Sequence, residues 1–108
     1  MKYVVAVIPP SALEAVQAAL EAAEVYRLTI SEVEVPVLGQ DAPPGGLPQG
    51  LRLEIAVNDA FLAPTLAAFA SAEEVAGEAG VHFPVQVSIL PLEDSVRIRT
   101  GERGPEAI

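Results

Sequence analysis

The alternation of apolar and polar residues along the chain predicts several strands. Residues 3–8 form a continuous apolar run of strand formers, which is typical of a buried central strand. Residues 51–57 alternate regularly between apolar and polar positions, as in a strand with one buried face. Weaker alternation predicts a second strand over 26–35, a fourth over 85–89 and a short fifth over 96–100.

Two of the intervening segments carry apolar residues at helical spacing. The first helix is predicted to follow a capping box that begins at Ser11, and to end near Ala23. The second is predicted to begin at Asn58 or Asp59, whose side chains can cap a helix, and to end in the glycines of 77–80. Each helix is therefore expected to connect two strands.

The predicted order is strand–helix–strand followed by strand–helix–strand, in one domain that spans 1–108. Two such units predict an α+β, ferredoxin-like βαββαβ sandwich, with both helices on one face of an antiparallel sheet and a short extra C-terminal strand. An apolar second face would require a partner surface, which favours a closed oligomer. The residues that we expect on this second face are Val4, Ala6, Ile8, Ala56 and Leu90.

The segment 36–50 shows no periodicity and is predicted to be a surface loop. It holds Pro36, Pro43, Pro44 and Pro48, and also Gly39, Gly45, Gly46 and Gly50. Proline removes backbone donors, and glycine opposes regular structure. Loops of this length inside a compact domain are usually functional or disordered. We expect the loop to be mobile in the free protein and to make the main contact with a partner protein.

Composition excludes several classes of function. The chain has 108 residues, a net charge of −9 and no cysteine, so nucleic acid, anionic membranes, disulfides and thiolate chemistry are not expected. It lacks a signal-peptide pattern and an apolar run of about 18 residues, which predicts a cytoplasmic protein without membrane insertion. No catalytic constellation is evident, and the sole histidine, His82, is interpreted as structural rather than as a metal ligand. We therefore expect neither an enzyme nor a metal site.

The C-terminal segment holds the most evident anion site of this acidic chain. Three of the six basic residues, Arg97, Arg99 and Arg103, lie within seven positions. On a strand, Arg97 and Arg99 would point the same way, roughly 7 Å apart, which suits two phosphates or two oxyanions. The alternative is that these arginines only pair with the nearby surface carboxylates of Glu93, Asp94 and Glu102.

The run from Arg97 to Gly104, which reads RIRTGERG and is followed by Ala107 and Ile108, resembles the C-terminal signature of the nitrogen-regulatory PII signal-transduction proteins. The runs LTISEV at 28–33 and LRLEI at 51–55 are similar to two strands of the same family. This resemblance implies a homotrimer that binds ATP or ADP in clefts between subunits, without a covalent cofactor. It also implies a ligand site lined by Thr29, Glu54, Arg97 and Arg99, with Thr29 at the adenine end and the arginines at the phosphates.

Two segments depart from the family pattern. The 36–50 loop stands where the family carries its long T-loop, but it is shorter and has no tyrosine for a uridylylation switch. Gln40 is offset from the family's ligand-binding glutamine, so that role is not carried over. At 80–86 the glycine-rich turn and both of its lysines are lost, and Pro84 has no N–H to donate to a phosphate. We therefore expect ATP to bind no better than ADP or AMP.

These features favour a non-catalytic PII-like regulator. Its trimer would bind an adenine nucleotide, or a small anion such as bicarbonate, and would regulate a membrane transporter or a metabolic enzyme through the 36–50 loop. The alternative is a structural or adaptor trimer that has lost its small-molecule ligand, in which Arg97 and Arg99 serve only inter-subunit ion pairs.

Overall fold

The computed structural model describes residues 1–36, 49–78 and 85–108. The predicted order of elements is confirmed. The strands and helices are β1 (Lys2–Ile8), α1 (Leu13–Ala22), β2 (Thr29–Glu34), β3 (Gln49–Val57), α2 (Leu62–Glu78) and β4 (Gln86–Pro91). Within the described ranges, neither α-helix is both long enough and apolar enough to cross a membrane.

The four strands form one antiparallel sheet in the order β2-β3-β1-β4. The central strand β1 pairs with β3 on one side and with β4 on the other, so that Val4 lies between Ile55 and Ile89. The outer strand β2 pairs with β3 without interruption, from Thr29 opposite Glu54 to Glu34 opposite Gln49. This topology is the ferredoxin-like arrangement, and the predicted fold class is confirmed.

The core lies between the two helices and one face of the sheet. It is built from alternate residues of β1 and β3 and from the inner sides of α1 and α2, and its fully buried side chains include Val4, Ala6, Ile8, Val16, Leu20, Leu53, Ile55 and Phe69. The prediction that Val4, Ala6 and Ile8 lie on the second face of the sheet is therefore wrong. Because every residue of β1 from Val4 to Ile8 is apolar, this sequence does not distinguish its two faces.

The second face of the sheet, which we call the open face, carries the other set of side chains. It holds Tyr3, Val5 and Val7 from β1, together with Arg52, Glu54, Ala56, Ser88 and Leu90 from the neighbouring strands. Ala56 and Leu90 lie there as predicted, and Leu90 is 45% exposed. The open face is thus partly apolar, but it also bears a charged cluster.

Neither predicted helix cap is formed. Ser11 lies in a short 3-10 helix, Pro10–Ala12, and α1 begins only after it without a side-chain cap. Asn58 likewise makes no capping bond, and its Nδ2 donates instead to the carbonyl of Pro105 at 3.1 Å. A second 3-10 helix, Asp59–Phe61, leads into α2.

The predicted fifth strand over 96–100 is not present. One isolated bridge joins Val96 to Arg103, and residues 98–100 form a turn. The carbonyl of Arg97 accepts the N–H of Thr100 at 3.3 Å and that of Gly101 at 2.7 Å, and Gly101 has a φ of +75°. This left-handed residue reverses the chain, which is why the alternating pattern does not continue as a strand.

Most of the predicted 36–50 loop lies outside the described residues, and so do Gln40, His82 and most of 80–86. At its C-terminal end the prediction was too long, since Gln49 and the buried Gly50 already belong to β3.

Candidate functional site

Two adjoining cavities form what we call the lateral groove. It lies where the turn before β2, the C-terminal end of β3 and the C-terminal segment of the chain meet. Tyr26, Arg27, Ala56 and Ile108 line both cavities, so the two spaces are neighbours that share part of their walls. Their volumes are about 430 Å³ and about 290 Å³, which suits a small organic ligand.

We call the larger space the carboxylate cavity because Glu54 lines it together with Tyr3 and Thr29. Glu54 and Thr29 are direct partners across β3 and β2, so their side chains share the open face. Oε1 of Glu54 forms an ion pair with Nε of Arg52 at 2.9 Å, and Oε2 accepts a hydrogen bond from the hydroxyl of Tyr3. The carboxylate is therefore held by one ion pair and one hydrogen bond.

The same contacts change the titration of Tyr3. Its hydrogen bond to Glu54, its burial and the repulsion from the Glu54 carboxylate together raise the pKa of the phenol above the usual value. Tyr3 therefore stays protonated at neutral pH and keeps donating to Glu54. A carboxylate with a fixed position in a cavity accepts bonds from hydroxyl or amino groups of a ligand.

We call the smaller space the arginine cavity because Arg27 and Arg97 both line it. The Arg97 side chain is 26% exposed, and its Nη1 lies 3.4 Å from Oε1 of Glu102. Nε of Arg97 and Oδ1 of Asn58, which lines the same cavity, are both buried and have no hydrogen-bond partner among the described residues. One carboxylate residue, Glu24, also lies on its wall.

Asp94 fixes the segment that carries Arg97. Its Oδ2 accepts bonds from Nε and Nη2 of Arg103 at 3.2 and 2.6 Å, and its Oδ1 accepts the backbone N–H groups of Ser95 and Gly104. The hydrogen bond from Arg103 is the main reason that the pKa of Asp94 lies below its usual value. The chain thus closes into a compact turn at the rim of the groove.

The structure brings together three of the four predicted site residues. Thr29 and Glu54 line the carboxylate cavity, and Arg97 lines the arginine cavity. Arg99 is exposed in the 98–100 turn and lines neither cavity, so the predicted pair of arginines on one strand face is not formed within the chain. Arg97 and Arg103 each pair with an acidic residue of their own segment, and the alternative that they serve only such pairs stays a prediction.

Sequence reasoning missed three residues of the groove, namely Tyr3, Tyr26 and Arg27. Tyr3 was hidden inside an apolar run, although its place opposite Ala56 puts it on the same face as Glu54. Tyr26 and Arg27 belong to no motif, and the spacing of the residues around them gave no signal for a ligand.

Comparison with known proteins places this chain in a family. The model of the family described as nitrogen regulatory protein P-II matches residues 1–102. The chain is 41% identical over 120 aligned positions to the nitrogen regulatory protein GlnK1 of Methanosarcina mazei, with 100% of this chain and 97% of the relative covered. It is 32% identical over 117 positions to the nitrogen regulatory protein P-II 2 of Methanothermobacter thermautotrophicus, with the same coverage. The chain belongs to the P-II family of nitrogen regulatory proteins.

Proposed function

We propose that the protein is a non-catalytic signal-transduction trimer. Its lateral groove binds an adenine nucleotide or a small anion, and the occupied groove regulates a transporter or a metabolic enzyme through the 36–50 loop. The observation that carries this proposal is that two cavities share a wall, with Glu54 and Thr29 on one side of it and Arg97 on the other. Hydrogen-bonding groups and cations are thus spaced along one ligand-sized cleft.

The charge distribution supports an anionic ligand. The chain carries a net charge of −9, yet the arginine cavity is lined by two guanidinium groups and one carboxylate residue. A charge-assisted bond from arginine to a phosphate contributes about 1.5–3 kcal/mol. The fixed carboxylate of Glu54 repels a phosphate, so it favours the hydroxyl or amino groups of a ribose or base at the opposite end.

The open face supports assembly. Val5, Val7, Ala56 and Leu90 present apolar surface on the side of the sheet away from the helices, and Ile98 in the C-terminal turn is 90% exposed. Burying these residues between subunits stabilises a closed oligomer. In a trimer, Arg99 is free to enter the groove of a neighbouring subunit, since it lines neither cavity of its own chain.

Calorimetric titration with AMP, ADP, ATP and bicarbonate tests ligand binding. We expect ATP to bind no better than ADP or AMP. The Thr29→Ala variant should bind more weakly, whereas Ser31→Ala is the matched control because Ser31 is exposed on the same strand face and lines neither cavity. If the wild-type protein binds none of the four ligands, the proposed sensing function is refuted.

The joint variant Arg97→Ala with Arg99→Ala separates the sensor from a structural adaptor. A sensor should remain a trimer by light scattering and should lose its ligand. An adaptor, whose arginines serve subunit contacts, should lose its trimer.

A further inference from the structure

We propose that Arg27 and Tyr26 contact the ligand directly, and that they give the groove a preference for a nucleoside monophosphate over longer polyphosphates. This inference rests on the proposed ligand binding of the lateral groove, and it adds two residues and a ligand class to it. The two residues are consecutive, and they line both the carboxylate cavity and the arginine cavity. A ligand that spans the two spaces must therefore pass them.

The backbone holds both residues at the rim of the groove. After α1 the chain turns at Glu24, a non-glycine residue with a φ of +63°, and Val25 then returns to the core with only 7% exposure. Val25 donates its N–H to the carbonyl of Leu20 at 2.9 Å, which fixes the turn against the helix. Tyr26 and Arg27 follow this anchor directly, and both are exposed before β2 begins.

Arg27 is the cation of the groove that has no carboxylate partner among the described residues. Arg97 pairs with Glu102, and Arg52 beside the carboxylate cavity pairs with Glu54. No ion pair or hydrogen bond of the Arg27 side chain occurs within 1–36, 49–78 and 85–108. A free guanidinium is ordinary on a protein surface, but here it lies between a fixed carboxylate and a second arginine, where it is available to an incoming anion.

Tyr26 adds an aromatic surface at the same place. It is 72% exposed, and it lines the carboxylate cavity, where the neutral end of the ligand lies. Exposed aromatic rings beside a free arginine are typical of sites that stack a nucleobase and bind its phosphate. The apolar side chains Ala56 and Ile108 form part of both cavities and give a flat ligand a second surface.

The charges set the direction and the length of the ligand. Glu54 keeps phosphates out of the carboxylate cavity, so the anionic end lies with Arg27 and Arg97. Glu24 on the wall and Glu102 on Arg97 offset part of that positive charge. One phosphate group, with a charge of about −1.5 to −2, is therefore matched by the cavity, whereas a triphosphate exceeds what two arginines neutralise.

Isothermal titration of the full chain with AMP, ATP, adenosine and inorganic phosphate tests this inference. We expect Arg27→Ala to weaken AMP binding about tenfold or more and to leave adenosine binding unchanged. Arg27→Lys should retain part of the affinity, because lysine keeps the charge but loses the planar fork. Tyr26→Ala should weaken AMP and adenosine alike, while Tyr26→Phe should keep most of the affinity for both.

Lys2→Ala is the charge-matched control, since Lys2 lines neither cavity, and it should bind AMP as the wild type does. Arg27 and Tyr26 are exposed, so their variants should unfold at the same temperature as the wild type, and Arg27→Gln replaces Arg27→Ala if that variant does not. Equal AMP affinity of Arg27→Ala and wild type, or inorganic phosphate binding as tightly as AMP, overturns this inference and leaves the proposed function intact. A wild-type protein that binds none of the tested ligands, nor bicarbonate, removes the proposed function itself.

Discussion

Two neighbouring valines of β1 test the assignment of the sheet faces. Val4 is fully buried against the helices, between Ile55 and Ile89, whereas Val5 lies half-buried on the open face, between Glu54 and Ser88. Replacement of either by alanine removes the same two methyl groups, and any loss of strand propensity is common to both. Since each buried methyl group contributes about 0.8 kcal/mol, and the buried site leaves a cavity as well, we expect Val4→Ala to lower the free energy of unfolding by about 2 kcal/mol.

Val5→Ala should lower the free energy of unfolding of the isolated chain by only about 0.5 kcal/mol, because the methyl groups of Val5 are only partly removed from water in that chain. Urea unfolding followed by circular dichroism measures both values, at several protein concentrations because unfolding of a trimer is coupled to its dissociation. If the open face is a subunit interface, Val5→Ala should shift the dependence on protein concentration, and Val4→Ala should act at every concentration. Equal losses for the two variants at the lowest concentration would show that the faces are assigned wrongly.

Three further substitutions have defined outcomes. Asp94→Asn should loosen the turn that carries Arg97, which hydrogen exchange should detect as faster exchange of the Gly104 amide. Because the pKa of Asp94 is lowered in the folded protein, its carboxylate stabilises the fold above about pH 4, and this stabilisation is lost as the pH falls below that value. The free energies of unfolding of wild type and variant should therefore become equal in acid. Thr65→Val should lower the free energy of unfolding, measured in urea, by about 1 kcal/mol, because the hydroxyl of the fully buried Thr65 donates to the carbonyl of Phe61 at 2.7 Å. An unchanged midpoint of unfolding would show that this hydrogen bond does not contribute to stability. Gly101→Ala should lower the free energy of unfolding by about 1 kcal/mol, because the φ of +75° at this position strains any residue with a Cβ, although there is space for the atom. A variant as stable as the wild type would contradict this backbone conformation.

The strands that could be predicted best are those whose two faces differ in chemistry. In β3, Leu53, Ile55 and Val57 alternate with polar or small residues, and the structure buries the apolar set. The sequence order of such strands and two amphipathic helices was sufficient for the ferredoxin-like topology. In β1 the pattern does not identify the buried face, since every residue from Val4 to Ile8 is apolar. The inner face of β1 is set by its pairing with β3 and by the helices that pack against it.

The strand predicted in the C-terminal segment, over 96–100, is absent for a different reason. The alternation of Val96, Arg97, Ile98 and Arg99 satisfies the pattern of a strand, but a strand also requires a neighbour to pair with. The segment follows the end of β4 at Pro91, and within the described part of the chain its β-bridge, Val96 to Arg103, and the Asp94 ion pair both join residues of the segment itself. Local hydrogen bonds and the left-handed Gly101 therefore decided its conformation.

Within the groove, the residues that were predicted belong to recognisable motifs, and those that were missed do not. Thr29 and Glu54 lie in family-like strand sequences, and their pairing in the sheet brings them together. Arg27 and Tyr26 acquire a position at the groove only through the turn that follows α1, which is a property of the folded chain. The pairing of Tyr3 with Glu54, 51 positions apart, is likewise invisible to any local pattern.

The groove and the 36–50 loop are joined by continuous backbone pairing. Thr29 and Glu54 face each other at the groove end of the β2–β3 hairpin, and the register runs unbroken to Glu34 opposite Gln49, next to the loop. Five residues of strand span roughly 17 Å, and two paired strands resist bending over that length. The loop begins and ends on the two strands that carry these groove residues, so a displacement at Thr29 or Glu54 would reach both of its ends through the paired backbone. In the proposed function, a ligand in the groove would therefore need no separate relay to the loop.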